Sequence, residues 1–184
     1  MKKNVVVGLG EIGYPILKLL SKKQPTVGYD INKGLMNNSK FKTLLNTPTS
    51  FLHVAIPVTS KFDSNILQLY KKFKPECIVI HSTISPGTTE RIQKKLSIPV
   101  IYSATRGVHK RMIYDLKRYT KFFVISPNAP RGKWASSRYV KLMKHCGIKT
   151  KKMSKPETLE LGKILCDTSY LGWLINYAQL TNMI

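Results

Sequence analysis

Three glycines at the spacing Gly8-x-Gly10-x-x-Gly13 separate a β-branched run, residues 4–7, from a segment where Ile12, Ile16, Leu19 and Leu20 recur at helical spacing. No other feature constrains the fold as tightly. A chain that leaves a buried strand, turns on glycines and enters a helix there is opening a βαβ unit. Each glycine answers a separate steric demand: a tight turn, close approach of the backbone to a pyrophosphate, and close packing of helix on strand. The helix N-terminus beyond them offers unpaired N–H groups and a partial positive charge to an anion. A second strand over 26–29 is closed by Asp30, about 20 residues past the turn, where a carboxylate accepts from ribose hydroxyls. It would repel a 2′-phosphate, so NAD is expected rather than NADP, with Lys33 nearby opposing that preference. Gly8, Gly10, Glu11, Ile12, Gly13 and Asp30 are therefore the cofactor-binding candidates. The alternative is a domain that kept this turn without its ligand.

Further strands are expected over 51–56, 77–81, 99–102, 122–126 and 148–153, and helices over 33–45, 63–73, 87–96 and 134–146. The 87–96 helix is expected to be capped by Thr88 or Thr89. Strands alternating with helices imply right-handed crossovers and a doubly wound α/β fold with a mainly parallel sheet. Residues 1–153 form this domain, and 154–184 are read as one long C-terminal helix, with Ser154 as N-cap and Pro156 in its first turn. Its second half, "SYLGWLINYAQLTNMI", is apolar on nearly all sides, while Asp167, Asn176, Gln179 and Asn182 argue against a membrane span. A helix of that character must be buried against something, so a homodimer through it is expected. The early apolar run, 5–7, is too short for a signal sequence, and the chain reads as cytoplasmic.

Cys77, Cys146 and Cys166 lie far apart, which suits neither a metal site nor a disulfide framework. With 31 Lys plus Arg against 9 Asp plus Glu, the formal charge is +22, a field that attracts polyanions. The basic residues are scattered in pairs such as Lys22-Lys23 and Lys71-Lys72. A solvated lysine-rich surface is favoured over a nucleic-acid platform.

Several stretches resemble one family in order. "GLGEIGYP" is similar to the "GLGYVGLP" opening of the nucleotide-sugar dehydrogenases, within the wider 6-phosphogluconate dehydrogenase-like group, and Pro15 is a feature of that subgroup. "VGYDIN" at 27–32, "VAIPVT" at 54–59 and "HSTISPGTTE" at 81–90 continue the resemblance, and "ETLELGKILCDTSY" at 157–170 is similar to the head of the family's long central helix. The resemblance implies that Ile56 and Pro57 line the cofactor groove, that Thr83 faces the nicotinamide end, and that Lys163 is the active-site lysine beside the substrate carbinol. Departures accompany it. Asp167 stands where the family has asparagine, and Lys163 and Asp167, one turn apart, equally suit an ordinary ion pair. Ser103-Ala104-Thr105-Arg106 lacks the glutamate of the family's substrate loop, and the chain contains no match to the family's cysteine-bearing domain. The implied chemistry is thus one hydride transfer rather than two.

The loop over 103–112 follows a strand at the edge where such sheets bind ligands. Arg106 and Lys110 are candidates to hold a substrate anion, and His109 to act as general acid or base. His53 and His81 lie within strands and read as core residues, and His145 as a helix-end residue. Together these features lead to the expectation of an NAD-dependent oxidoreductase acting on an anionic hydroxy substrate such as a sugar nucleotide or sugar acid. The alternatives are a truncated, non-catalytic NAD-binding module and, third, a basic nucleic-acid-binding protein.

Overall fold

The computed structural model describes residues 1–181, and the side chains of all of these except 109 and 170–181. Its strands are β1 (Lys3–Val7), β2 (Thr26–Tyr29), β3 (Thr49–Val54), β4 (Cys77–Ile80), β5 (Val100–Tyr102), β6 (Lys121–Ile125) and β7 (Thr150–Lys152). They form one sheet in the order β2-β1-β3-β4-β5-β6-β7. Every pairing is parallel except β5 with β6, which is antiparallel. The expected doubly wound α/β architecture is therefore present, with one reversal near an edge.

Alternation along the strands explains the two-sided core. Val6, Phe51, Val79, Ile101 and Phe123 face one side, where α1 (Gly13–Ser21), α5 (Met112–Arg118) and α6 (Gly132–His145) cover them. Val5, Val7, Leu52, Val54, Ile78 and Ile80 face the other, under α3 (Phe62–Phe73) and α4 (Thr88–Gln93). The expected helix over 33–45 is two pieces, a 3-10 turn at Lys33–Leu35 and α2 (Asn38–Thr43). The side chain of Asn32 accepts from Gly34 N and that of Asn37 from Lys40 N, so the second asparagine starts a new helix instead of extending the first. The segment Met112–Arg118, of which only Met112 belongs to the expected loop over 103–112, is helical and buries Met112, Asp115 and Leu116. The last helix, α7 (Pro156–Thr181), opens on its proline.

His53 and His81 are both core residues, 0% and 1% exposed, with stacked rings. His53 Nδ1 lies 2.9 Å from His81 Nε2, and His81 Nδ1 lies 2.9 Å from the Ser103 carbonyl oxygen. A carbonyl only accepts, so His81 carries its proton on Nδ1, accepts through Nε2, and leaves His53 to donate from Nδ1. Burial and the nearby Lys121 charge hold both imidazoles neutral, His53 with a pKa lowered to about 3. In the unfolded chain a histidine protonates near 6.5. Stability is therefore fully present above that pH and falls as the pH drops toward the folded value, by about 3 kcal/mol at pH 4 from His53 alone. Urea titrations at pH 7 and pH 4 check this: His53→Phe should show a shallower loss than the unaltered chain, and equal slopes would count against it.

Candidate active site

The sheet order 2-1-3 puts a topological switch point between β1 and β3, and a cleft of about 1010 Å³ opens at the carboxyl ends of these strands. Its lining includes Gly8, Gly10, Glu11 and Ile12 of the turn, Asp30 after β2, Ile56 and Pro57 after β3, and Thr83 after β4. The glycines divide by what surrounds them. Gly8 has φ +83°, and a Cβ there would lie 2.4 Å from the Ala55 carbonyl oxygen. A Cβ on Gly13 would lie 1.6 Å from the Gly8 carbonyl oxygen. Gly10 has nothing within 4 Å of that position. The protein's own packing thus requires the first and third glycines, while the space beside the second belongs to the cleft.

Asp30 links strand and turn. Its Oδ2 accepts from Leu9 N at 2.7 Å and its Oδ1 from Asn32 N at 2.8 Å. Each carboxylate oxygen keeps a further lone pair for a ligand hydroxyl. Ile12, at the N-cap of α1, supplies no side-chain cap, and Tyr14 N donates to the Gly10 carbonyl oxygen at 3.0 Å. In the same cleft, Lys72 Nζ donates to Tyr29 Oη at 2.6 Å and lies 3.8 Å from that ring's centroid.

A second pocket, of about 420 Å³, is bounded by the loop after β5, the start of β6 and the first turns of α7. Lys163 and Arg106 line it. Lys163 pairs with Asp167, and Asp167 Oδ2 also accepts from Thr83 Oγ1 at 3.2 Å. Thr83 lines the large cleft and Lys163 the small pocket, so the Thr83–Asp167–Lys163 chain joins the two. The Arg106 guanidinium stacks 5.0 Å from the Tyr119 ring centroid. Lys110 is exposed, on the 3-10 turn His109–Arg111, and lines neither cavity. The side chain of His109 lies outside those described.

Two residues have roles that the sequence does not reveal. Lys121, 6% exposed, donates to Ser103 O at 2.8 Å, Ala104 O at 2.9 Å and Thr105 Oγ1 at 3.0 Å. Because β6 runs antiparallel to β5, its first residue meets the carboxyl end of β5. Burial, with Lys163 nearby, lowers the Lys121 pKa to about 7. Glu160 is fully buried and accepts from Gly87 N at 2.6 Å, Thr89 N at 2.8 Å and Thr89 Oγ1 at 2.5 Å. The cap of α4 is therefore this carboxylate from α7; neither Thr88 nor Thr89 caps it, and the N-cap is Gly87, with φ +82°.

No family model and no curated protein sequence matches the chain. Its fold is shared with the UDP-D-ManNAc dehydrogenase of Pyrococcus horikoshii, at TM-score 0.71 and 18% identity over 91% of this chain and 50% of that one. An imine reductase of Streptomyces aurantiacus matches at TM-score 0.65 and 12% identity, covering 97% of this chain and 65% of its own. Prephenate dehydrogenase of Aquifex aeolicus, in complex with hydroxyphenyl propionate and NAD+, matches at TM-score 0.63 and 14% identity, covering 87% and 62%. The chain thus spans about half to two thirds of the structures it resembles. What these likenesses show is the fold alone, a Rossmann-like α/β domain. The resemblance to nucleotide-sugar dehydrogenases expected from the motifs is met at that level.

Proposed function

We propose that this chain binds NAD in the large cleft and carries out one hydride transfer on an anionic hydroxy compound held at the Lys163 pocket. The observation that supports this most directly is Gly10: a glycine the protein's packing does not require, facing the cleft between two glycines that packing does require. On this reading the turn amides and the N-terminus of α1 hold the diphosphate, Asp30 accepts from the adenosine ribose, and Ile56 and Pro57 wall the groove. Bound NAD would supply the acceptor for the hydride leaving the substrate carbinol carbon. Thr83 would face the nicotinamide. Lys163 and Asp167 manage the hydroxyl proton: the amine steadies the developing alkoxide charge, and the carboxylate beside it is the base. Arg106 holds the substrate anion.

Fluorescence titration with NADH, with NADPH in parallel, tests the reading. Saturable NADH binding is expected, tighter than NADPH, and weakened about tenfold or more in Asp30→Ala, a loss of ~1.4 kcal/mol or more. No saturable binding of either nucleotide would end it.

A second reading is a non-catalytic NAD-binding module. It is favoured by the commitment of the Lys163 amine to Asp167. NADH binding without NAD reduction by any hydroxy acid or sugar nucleotide would select it. The homodimer through α7 belongs to the same proposal: Leu161 and Leu165 on its first half are exposed apolar residues, and the side chains expected to complete that face lie beyond those described. A single monomeric species in sedimentation velocity would remove the dimer.

A further inference from the structure

The 420 Å³ pocket beside Lys163 has a charge balance that its own residues do not complete. Its one lining acid, Asp115, is already engaged, accepting from Val108 N at 2.9 Å and pairing with Arg111, while Asp167, outside the lining, pairs with the pocket residue Lys163. Arg106 and Lys121 also line it, and among the described residues neither has a carboxylate partner. The three protons of the Lys121 ammonium go to neutral acceptors, two carbonyls and a hydroxyl. Desolvating an ammonium without a counter-charge is costly, and its persistence calls for a compensating anion or a functional use. Much of the remaining wall is apolar, built from Leu116, Phe122, Met153 and Leu159 beside Tyr119, Thr120 and Thr158.

Resting on the hydride-transfer reading, we propose that this pocket takes a small monocarboxylate with an apolar body, not a sugar nucleotide, and that Lys121 is the positioning residue that makes it selective. Lys121 shapes the loop Ser103–Ala104–Thr105 that delivers Arg106 to the pocket, and it adds the buried part of the positive charge. The volume lies near the lower end of the range of about 300–1,000 Å³ for small-molecule sites. A carboxylate placed between Arg106 and Lys121 completes the charge, and the apolar walls bury a branched or aryl side chain.

The site is also pH-dependent, because the Lys121 ammonium titrates near neutrality. The groups around it are Arg106; the Lys163–Asp167 pair; Asp115, held ionised by Val108 N and Arg111; His81, kept neutral by burial and sharing the Ser103 carbonyl; His53, likewise kept neutral by burial; and the Tyr119 ring and Cys166 thiol on the pocket wall. A carboxylate ligand stays ionised above pH 6, so a change between pH 6 and 8.5 follows the ammonium.

Calorimetric titration of the full chain, saturated with NADH, tests this with 4-methylpentanoate, its neutral amide and uridine diphosphate as probes. The acid should bind about tenfold or more tighter than the amide at pH 6, tighter than uridine diphosphate, and about tenfold weaker at pH 8.5. Lys121→Met should bind it weakly with a flat pH profile, and the profile of the unaltered chain carries the test if that variant does not fold. Equal affinity for acid and amide, a flat profile in the unaltered chain, or preference for uridine diphosphate would overturn the inference. Saturable NADH binding alongside such a result would leave the cofactor reading standing, whereas loss of NADH binding would strike that reading instead.

Discussion

Gly10→Ala is expected to fold normally and lose most NAD affinity, while Gly13→Ala is expected to lose the fold. The two changes add the same methyl group three residues apart. At Gly13 the new Cβ would sit 1.6 Å from the Gly8 carbonyl oxygen, a backbone atom fixed in the turn between β1 and α1. Relief requires moving the helix off the strand, and Leu19, Leu20 and Ile16 of that helix are buried in the core. A loss of more than about 4 kcal/mol follows, comparable to the whole stability of a marginal domain at ~5–15 kcal/mol. At Gly10 the added methyl meets no protein atom, so the change in stability should stay within about 0.5 kcal/mol, typical of an exposed site. The same methyl intrudes where a diphosphate must approach the turn, and NADH affinity should fall about tenfold or more, ~1.4 kcal/mol. Thermal melts followed by circular dichroism and NADH fluorescence separate the effects. Unchanged NADH affinity in a folded Gly10→Ala would show that nothing approaches the turn there, and the cofactor reading would fail with it.

The glycine turn was legible because everything it needs is local: a β-branched run, a fixed spacing and a helical repeat within 17 residues of sequence, 4–20. The parallel core was legible for a related reason, since strands buried on both faces read as short apolar runs such as Cys77–Ile80. What escaped depends on contacts distant in sequence. Lys121 heads the apolar run "KFFVI" and, among 31 basic residues, reads as another solvated lysine. Only the antiparallel turn of β6 against β5 brings it under Ser103, 18 residues earlier. The helix α5 was missed because its buried face includes a carboxylate: Asp115, fully buried, closes the preceding loop through Val108 N and Arg111 Nε. A polar residue on a buried face erases the apolar period on which the helix signal rests.

Glu160 carries the second large effect, because one side chain fixes both a helix and the candidate catalytic pair. Its two oxygens take the N–H groups of Gly87 and Thr89 and the Thr89 hydroxyl, 71 to 73 residues away, with Glu160 and Thr89 buried and Gly87 half-buried. No cation salt-bridges it among the described residues; its charge is met by the positive end of α4 and these charge-assisted hydrogen bonds. Glu160→Ala leaves the two Thr89 donors buried and unpaired, at about 1–3 kcal/mol for each, and strips the half-buried Gly87 N–H of its partner, so a total loss of ~3 kcal/mol or more is expected. Glu160→Gln keeps the shape but turns one acceptor into a donor facing another donor, and should cost ~2 kcal/mol. Urea denaturation of the two variants checks the order. The functional consequence follows from helical spacing, since Lys163 lies one turn beyond Glu160 and Asp167 one turn further. Without the anchor, α7 is no longer held against the 82–89 loop, and the Thr83–Asp167 contact that joins the large cleft to the Lys163 pocket loses its support. NADH binding at the glycine turn, on the far side of that contact, should survive in Glu160→Gln while binding of 4-methylpentanoate in the Lys163 pocket weakens about tenfold, a difference of ~1.4 kcal/mol. If both ligands weaken together, the anchor supports the whole domain and not the pocket alone. If neither weakens, α7 is held in place by its other contacts, and the coupling assigned to Glu160 is wrong.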